Sequence, residues 1–228
     1  MSFELAVRLS EIALGFLFLL QMGEHLRSAS YERLLFIWRG VMAVFLVTGF
    51  MLSFVYVSLI MNALFILYRF QGPYNGGSDR MSLLLLCCLA FAHYLPEQYM
   101  KEMALGYLAL QLILSYFIAG YVKVVNSEWR RGRALQDVFL FSAYPVSEAA
   151  RRWADKPYLL LVMSWSVMLL ELLFPIFVFN AYMLYAALFL TGLFHLANAC
   201  LFGLNRFFWA WIAAYPILIW FSSQFLGT

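Results

Sequence analysis

From Leu34 to Leu67 the chain reads LLFIWRGVMAVFLVTGFMLSFVYVSLIMNALFIL, with Arg39 as its only charge. No other feature constrains the fold as strongly. A helix crosses the bilayer core in about 20 apolar residues, so this run holds two helical segments, with the bend at Gly40 or at the Thr48-Gly49 pair. Ordinary soluble domains are about half apolar and a quarter charged. This chain is 65% hydrophobic and 12% charged over 228 residues, more apolar surface than a soluble fold can hide. The fold class that follows is all-α: a polytopic membrane helical bundle, taken as a single domain over residues 1–228.

Other apolar runs bring the expected number of helical segments to about eight, one or more of them interfacial. The first starts near Phe3 and reaches Met22, with Arg8 and Glu11 one turn apart on one face. Met81 to Leu95 ends at Pro96, Met103 to Val125 follows, and Leu159 to Phe179 is interrupted by Glu171 and Pro175. Tyr182 to Leu204 and Phe207 to Phe225 complete the series. The stretch RFQGPYNGGSDR, Arg69 to Arg80, reads as a loop from its Gly, Pro, Asn and Asp. The longest polar interval, Asn126 to Pro157, contains EAARRWADK, which reads as an amphipathic helix lying along a membrane surface.

Charge bears on orientation and partners. Lys123, Arg130, Arg131, Arg133, Arg151, Arg152 and Lys156 are 7 of the 15 Lys and Arg, and the positive-inside rule puts that stretch in the cytoplasm. The net charge is only +3 and its basic residues are scattered, so no nucleic-acid partner is expected. The expected surroundings are the lipid bilayer, in the cell membrane if the source is bacterial. The first residues, MSFELAVRLSE, have no basic region and no small-residue cleavage site after them, so no cleaved signal peptide is expected. Cys87, Cys88 and Cys200 form neither a CxxC pair nor a metal-ligand spacing, so they read as packing residues and no metal is expected.

Polar groups inside the spans are the candidates for chemistry, because a charge near a helix centre costs roughly 2.5–3.5 kcal/mol. Glu171, in SWSVMLLELLFP, lies mid-span, and Pro175 one turn on leaves its carbonyl without a helical donor. It reads either as a carboxylate in a proton path or one orienting Lys123 or His195, or as a neutral or paired structural carboxyl locking two helices. His195 and Asn198, in FHLANACLFG, share a helix face and suit a ring carbonyl or hydroxyl, or else a satisfied core. Lys123 ends the fifth span. It either snorkels to the interface or, kept dry, offers a neutral amine as a base, with Trp129 and the nearby arginines shaping a pocket. His93 and His25, at segment ends, read as interfacial residues without chemistry.

Two blocks carry a resemblance. YFIAGYVKVVNSEW combines an apolar run, Ala-Gly, a lysine three residues later and a Trp after a short polar stretch. FHLANACLFGLNRFFWAWIAAYP has Phe-His-Leu, Asn three residues after the His, Leu-Phe and an aromatic final span. In both, over about 40 residues, the chain resembles the horizontally transferred transmembrane (HTTM) domain family, which includes the membrane part of the vitamin K-dependent gamma-glutamyl carboxylase. The resemblance implies a lysine base at Lys123 that deprotonates a quinol-like cofactor of the vitamin K hydroquinone kind, in a lyase-type reaction that modifies a peptide. It implies a catalytic role for Lys123; Glu171 and His195 are expected as its catalytic companions, and Asn198 and Trp129 as cofactor contacts, from their places in and beside the apolar spans. In the family a histidine follows the loop resembling NGGSD; this chain departs from that pattern, with no matching histidine, and Asp79 is the residue nearest that cofactor-side place. The carboxylase has a further domain that helps bind its peptide, so a peptide substrate here is expected to need another protein or a small exosite. The resemblance puts the lysine outside or in the lumen, opposite to the charge count. Two other readings stand beside it: a quinone-linked redox membrane protein resembling DoxX, and a non-enzymatic membrane scaffold or immunity factor.

Overall fold

The structure, a computed structural model, describes residues 1–69, 76–141 and 148–225. Among these residues every regular element is helical: α1 (Phe3–His25), α2 (Ser30–Thr48), α3 (Leu52–Arg69), α4 (Gly76–Tyr94), α5 (Gln98–Val125), α6 (Ser127–Arg130), α7 (Arg133–Phe141), α8 (Glu148–Arg151), a 3-10 turn (Arg152–Asp155), α9 (Pro157–Phe177), α10 (Ala181–Phe202), α11 (Asn205–Ile212) and α12 (Tyr215–Phe225). The protein is an integral membrane helical bundle. Helices α3, α5, α9 and α10 are long and apolar enough to cross a membrane, and large side chains such as Leu34, Val57, Met61, Val162 and Phe189 are exposed, as lipid contact requires.

Local chemistry sets most boundaries. Ser2 caps α1 by accepting from the Leu5 N–H. Of the two candidate bends after Leu34, the chain uses Gly49, which closes α2 at φ 76. Pro157 opens α9, where its missing N–H costs nothing. Asn180 caps α10 through its side chain, and Gly203 at φ 70 ends that helix.

Three segments differ from the sequence expectation. Helix α4 starts at Gly76, so GGSDR is helical, and residues 70–75 of the expected loop lie outside the described residues. Asp79 falls in the first turn of α4, where the helix dipole favours a carboxylate. EAARRWADK is not one amphipathic helix: it is a single α turn followed by a 3-10 turn. The amphipathic helix of that interval is α7, with Phe139 buried and Arg133 and Asp137 exposed. The last expected segment is broken after Ile212, and the chain turns before α12 restarts at Tyr215; Pro216, its second residue, has no N–H to continue the preceding helix.

The chain divides into two compact units, residues 1–109 with 206–225, and residues 110–205. In the first, α1 packs on α2, α4 and α12, and α3 packs on α2 and α4. Leu14, Phe18, Phe36, Leu46, Leu59 and Trp220 are among its buried side chains. In the second, α9 packs on α10, α7 and α6, and Phe139, Ala150, Ala154, Leu160 and Phe202 form a core.

Candidate functional site

Tyr116, Gly120 and Lys123 follow one another at i, i+4 and i+7, so α5 presents them on one face. At Gly120 the α9 backbone comes into close contact with α5. A Cβ there would lie 2.5 Å from the Leu172 amide nitrogen and 3.0 Å from the Glu171 carbonyl carbon. Small residues let membrane helices meet backbone against backbone in this way. One turn further along α5, the Lys123 Nζ donates to Glu171 Oε2 at 2.5 Å. The Lys123 side chain is 18% exposed and that of Glu171 5%, so the ion pair is largely out of solvent.

The segment after α5 holds Trp129 against this pair. Asn126 caps α6 by accepting from the Glu128 N–H. Arg130 donates to the carbonyls of Val124 and Val125 at 2.8 and 2.9 Å, closing the end of α5. From α9, the Ser164 hydroxyl donates to the Trp129 carbonyl at 2.6 Å and the Trp165 indole donates to the Arg130 carbonyl at 3.1 Å. Gly132 turns the chain at φ +74, and a Cβ on it would lie 2.9 Å from the Leu161 Cα, so the turn needs both the conformation and the absence of a side chain. These contacts place the Trp129 ring centroid 5.5 Å from the Lys123 Nζ, within cation–π range. The arginines behind Trp129 therefore have structural work: Arg130 caps a helix, and Arg133 pairs with Glu128 at 3.4 Å.

His195 joins through an aromatic bridge. The Tyr116 hydroxyl and His195 Nε2 are hydrogen-bonded at 2.9 Å. The Tyr116 ring packs on Phe174 at 4.2 Å between centroids, and Phe174 is one turn beyond Glu171 on α9. His195 is 2% exposed and within electrostatic reach of Lys123. Tyr116 escaped the sequence reading, although its spacing from Gly120 and Lys123 was the signal that would have found it. Asn198, one turn after His195, is half-buried. Its backbone carbonyl accepts from Leu204 at 3.4 Å, and its side chain makes no hydrogen bond among the described residues.

Asp79 belongs to the first unit, where its carboxylate lies 3.9 Å from the Arg39 guanidinium, which also donates to the Gln21 carbonyl at 2.6 Å. His93 is bonded to Glu11 at 2.7 Å, and His25 stacks on Phe36 with 3.6 Å between ring centroids. Among the described residues, no group of three or more His, Cys, Asp or Glu side chains is placed to hold a metal ion.

The arrangement in the second unit is a buried amine–carboxylate pair beside an indole face, with a tyrosine–histidine pair behind it. Such a pair can exchange one proton, because dry surroundings penalise both charges. Comparison with known families gives one match: the model of the HTTM domain covers residues 16–222, nearly the whole chain. No curated protein and no solved structure matches it.

Proposed function

The chain belongs to the HTTM domain family, and from that premise we propose that it is an integral-membrane enzyme whose base is Lys123, acting on the hydroxyl of a quinol-like ring. The observation that carries this reading is the 2.5 Å contact between Lys123 Nζ and Glu171 Oε2 in a largely buried setting. With the shared proton on nitrogen, Lys123 is an ammonium and cannot act as a base. With the proton on Glu171, the amine has a free lone pair. Lys123 then takes a proton from a hydroxyl: the O–H bond breaks, an N–H bond forms, and the new ammonium faces the Glu171 side chain. A lysine can do this and an arginine cannot, because the guanidinium stays protonated.

The residues present fit a hydroxylated aromatic ring. Trp129 offers a flat face beside the amine, and the Tyr116–His195 pair brings a hydroxyl and an imidazole near ring-oxygen chemistry. Lys123, Trp129, His195 and Asn198 would hold such a ring. Bound there, a quinol of the vitamin K hydroquinone kind supplies the acidic hydroxyl and the reducing equivalents. Asp79 enters this reading through the resemblance alone; its carboxylate is engaged with Arg39. The downstream step we propose is modification of a peptide brought by a partner protein, as the carboxylase resemblance implies.

The test uses the purified protein in nanodiscs with vitamin K hydroquinone as probe, following oxygen uptake and the oxidised product. The expected result is turnover by the wild type and none by Lys123→Arg, with an unchanged melting profile. Glu171→Gln, which keeps a hydrogen bond but cannot take the proton, is expected to slow turnover at least about 100-fold, in the range of general acid–base contributions. Full activity in Lys123→Arg would make Lys123 an anchor, as a scaffold reading has it. No turnover by the wild type would remove the quinol from the assignment.

A further inference from the structure

The first unit holds a second polar centre that shares no residue with the Lys123 site. Antiparallel packing brings together the start of α1, the end of α2, the start of α3, the end of α4 and the start of α5. Between them lies a cavity of about 500 Å³, lined among others by Val7, Arg8, Glu11, Thr48, His93 and Lys101. Cavities of roughly 300–1,000 Å³ are the size that takes small molecules.

Glu11 is the anchor of this cavity, 1% exposed and close to the middle of α1. Its Oε1 accepts from the Tyr56 hydroxyl at 2.6 Å and lies 2.7 Å from His93 Nε2, and its Oε2 accepts from Arg8 Nη1 at 2.9 Å. Arg8 is itself held in place by the carbonyls of Leu46 and Val47 at the end of α2. Three donors thus converge on one carboxylate and occupy both of its oxygens. The His93 side chain remains 31% exposed, and its Nδ1 has no partner among the described residues.

This has a chemical consequence. In the neutral form of the ring, a carboxylate facing Nε2 selects the tautomer with its proton there, and Nδ1 is then an acceptor on the cavity wall. An acceptor on a cavity wall calls for a ligand that donates. The lining charges cancel, Arg8 and Lys101 against Glu4 and Glu11, which favours a neutral ligand over an anion. Phe3, Val7, Leu52 and Ala92 line the same cavity and suit an apolar body. We infer that this cavity binds a neutral, hydroxyl-bearing amphiphile of the phenol or alcohol class, its hydroxyl donating to His93 Nδ1 while Glu11 holds the ring.

The experiment compares two probes, 4-hexylphenol and its methyl ether 4-hexylanisole, in which a methyl group replaces the donor hydrogen. The full chain in nanodiscs is treated with diethyl pyrocarbonate, which acylates unprotonated imidazole nitrogens, and peptide mass spectrometry reads each of the 3 histidines separately. The expected result is that His93 reacts, that the phenol protects it saturably, and that the ether needs about ten-fold more for equal protection, the worth of one hydrogen bond. Glu11→Gln should erase that ten-fold difference by freeing the ring. If this variant fails to fold, the two-probe comparison on the wild type decides alone. Equal protection by both probes, no protection by either, or an unreactive His93 overturns the inference. Protection at His93 is independent of quinol turnover, so this result and the Lys123 reading stand or fall separately.

Discussion

Lys123 and Glu171 each carry a cost that only the other can offset. Removing one member of a buried ion pair typically costs about 3–5 kcal/mol, whereas replacing both by apolar residues of similar volume is often near neutral. Lys123→Met is therefore expected to lower the melting temperature clearly, and Lys123→Met combined with Glu171→Leu to restore most of it; thermal unfolding in detergent measures both. If the pair serves chemistry, both variants are inactive with the hydroquinone probe, and the stable double variant separates loss of function from loss of fold. Tyr116→Phe removes the hydroxyl bonded to His195 and is expected to cost about 1 kcal/mol, read from the same melts. At this scale the sequence was informative about which residues matter, because a carboxylate and an amine in apolar spans stand out by their cost. It was silent about pairing. Glu171 had two candidate partners, Lys123 and His195, and packing gave it Lys123 and gave His195 to Tyr116.

The element that organises the site is the contact between α5 and α9. Gly120 permits it, and a Cβ at that position meets the α9 backbone, which has no flexible end to move aside. Gly120→Ala is expected to push the helices apart and destabilise the protein by about 1–3 kcal/mol, the usual cost of overpacking. Turnover should fall more than stability does, since the displacement falls one turn from the Lys123–Glu171 contact. Activity unchanged at wild-type stability would show that the helices do not need this approach. Gly132→Ala combines a left-handed backbone with a clash against Leu161, and a loss of at least about 1 kcal/mol is expected, checked by melting and by the accessibility of Trp129 to an aqueous quencher. Helix type and most boundaries were legible from apolar runs, Gly and Pro. EAARRWADK misled because its amphipathic pattern is only about two turns long, and a helix that short follows its tertiary contacts rather than its own periodicity.

Over the whole molecule, the last described segment returns to the first. Phe3 meets Trp220 and Phe16 meets Trp209, with ring centroids 5.5 and 4.6 Å apart, and Arg206 donates to Glu24 at 2.7 Å. A chain truncated after Leu204 keeps α1 to α4 but loses the α12 cover on α1. Limited proteolysis is expected to cut residues 1–109 of that variant several-fold faster than in the full chain; equal rates would show that α11 and α12 are dispensable to the first unit. The apolar character of 228 residues by itself determined a helical membrane protein, the approximate number of segments and the residues costly enough to need partners. Two blocks of local pattern determined the family. Only the tertiary structure decided that Tyr116 belongs with His195, that Glu11 gathers Arg8, Tyr56 and His93, and that α12 covers α1. The reason is physical. Hydropathy is a property of each residue and is carried in the sequence, whereas a partner is whatever side chain packing brings within about 3 Å, across separations such as the 82 positions between Glu11 and His93 that no local pattern encodes.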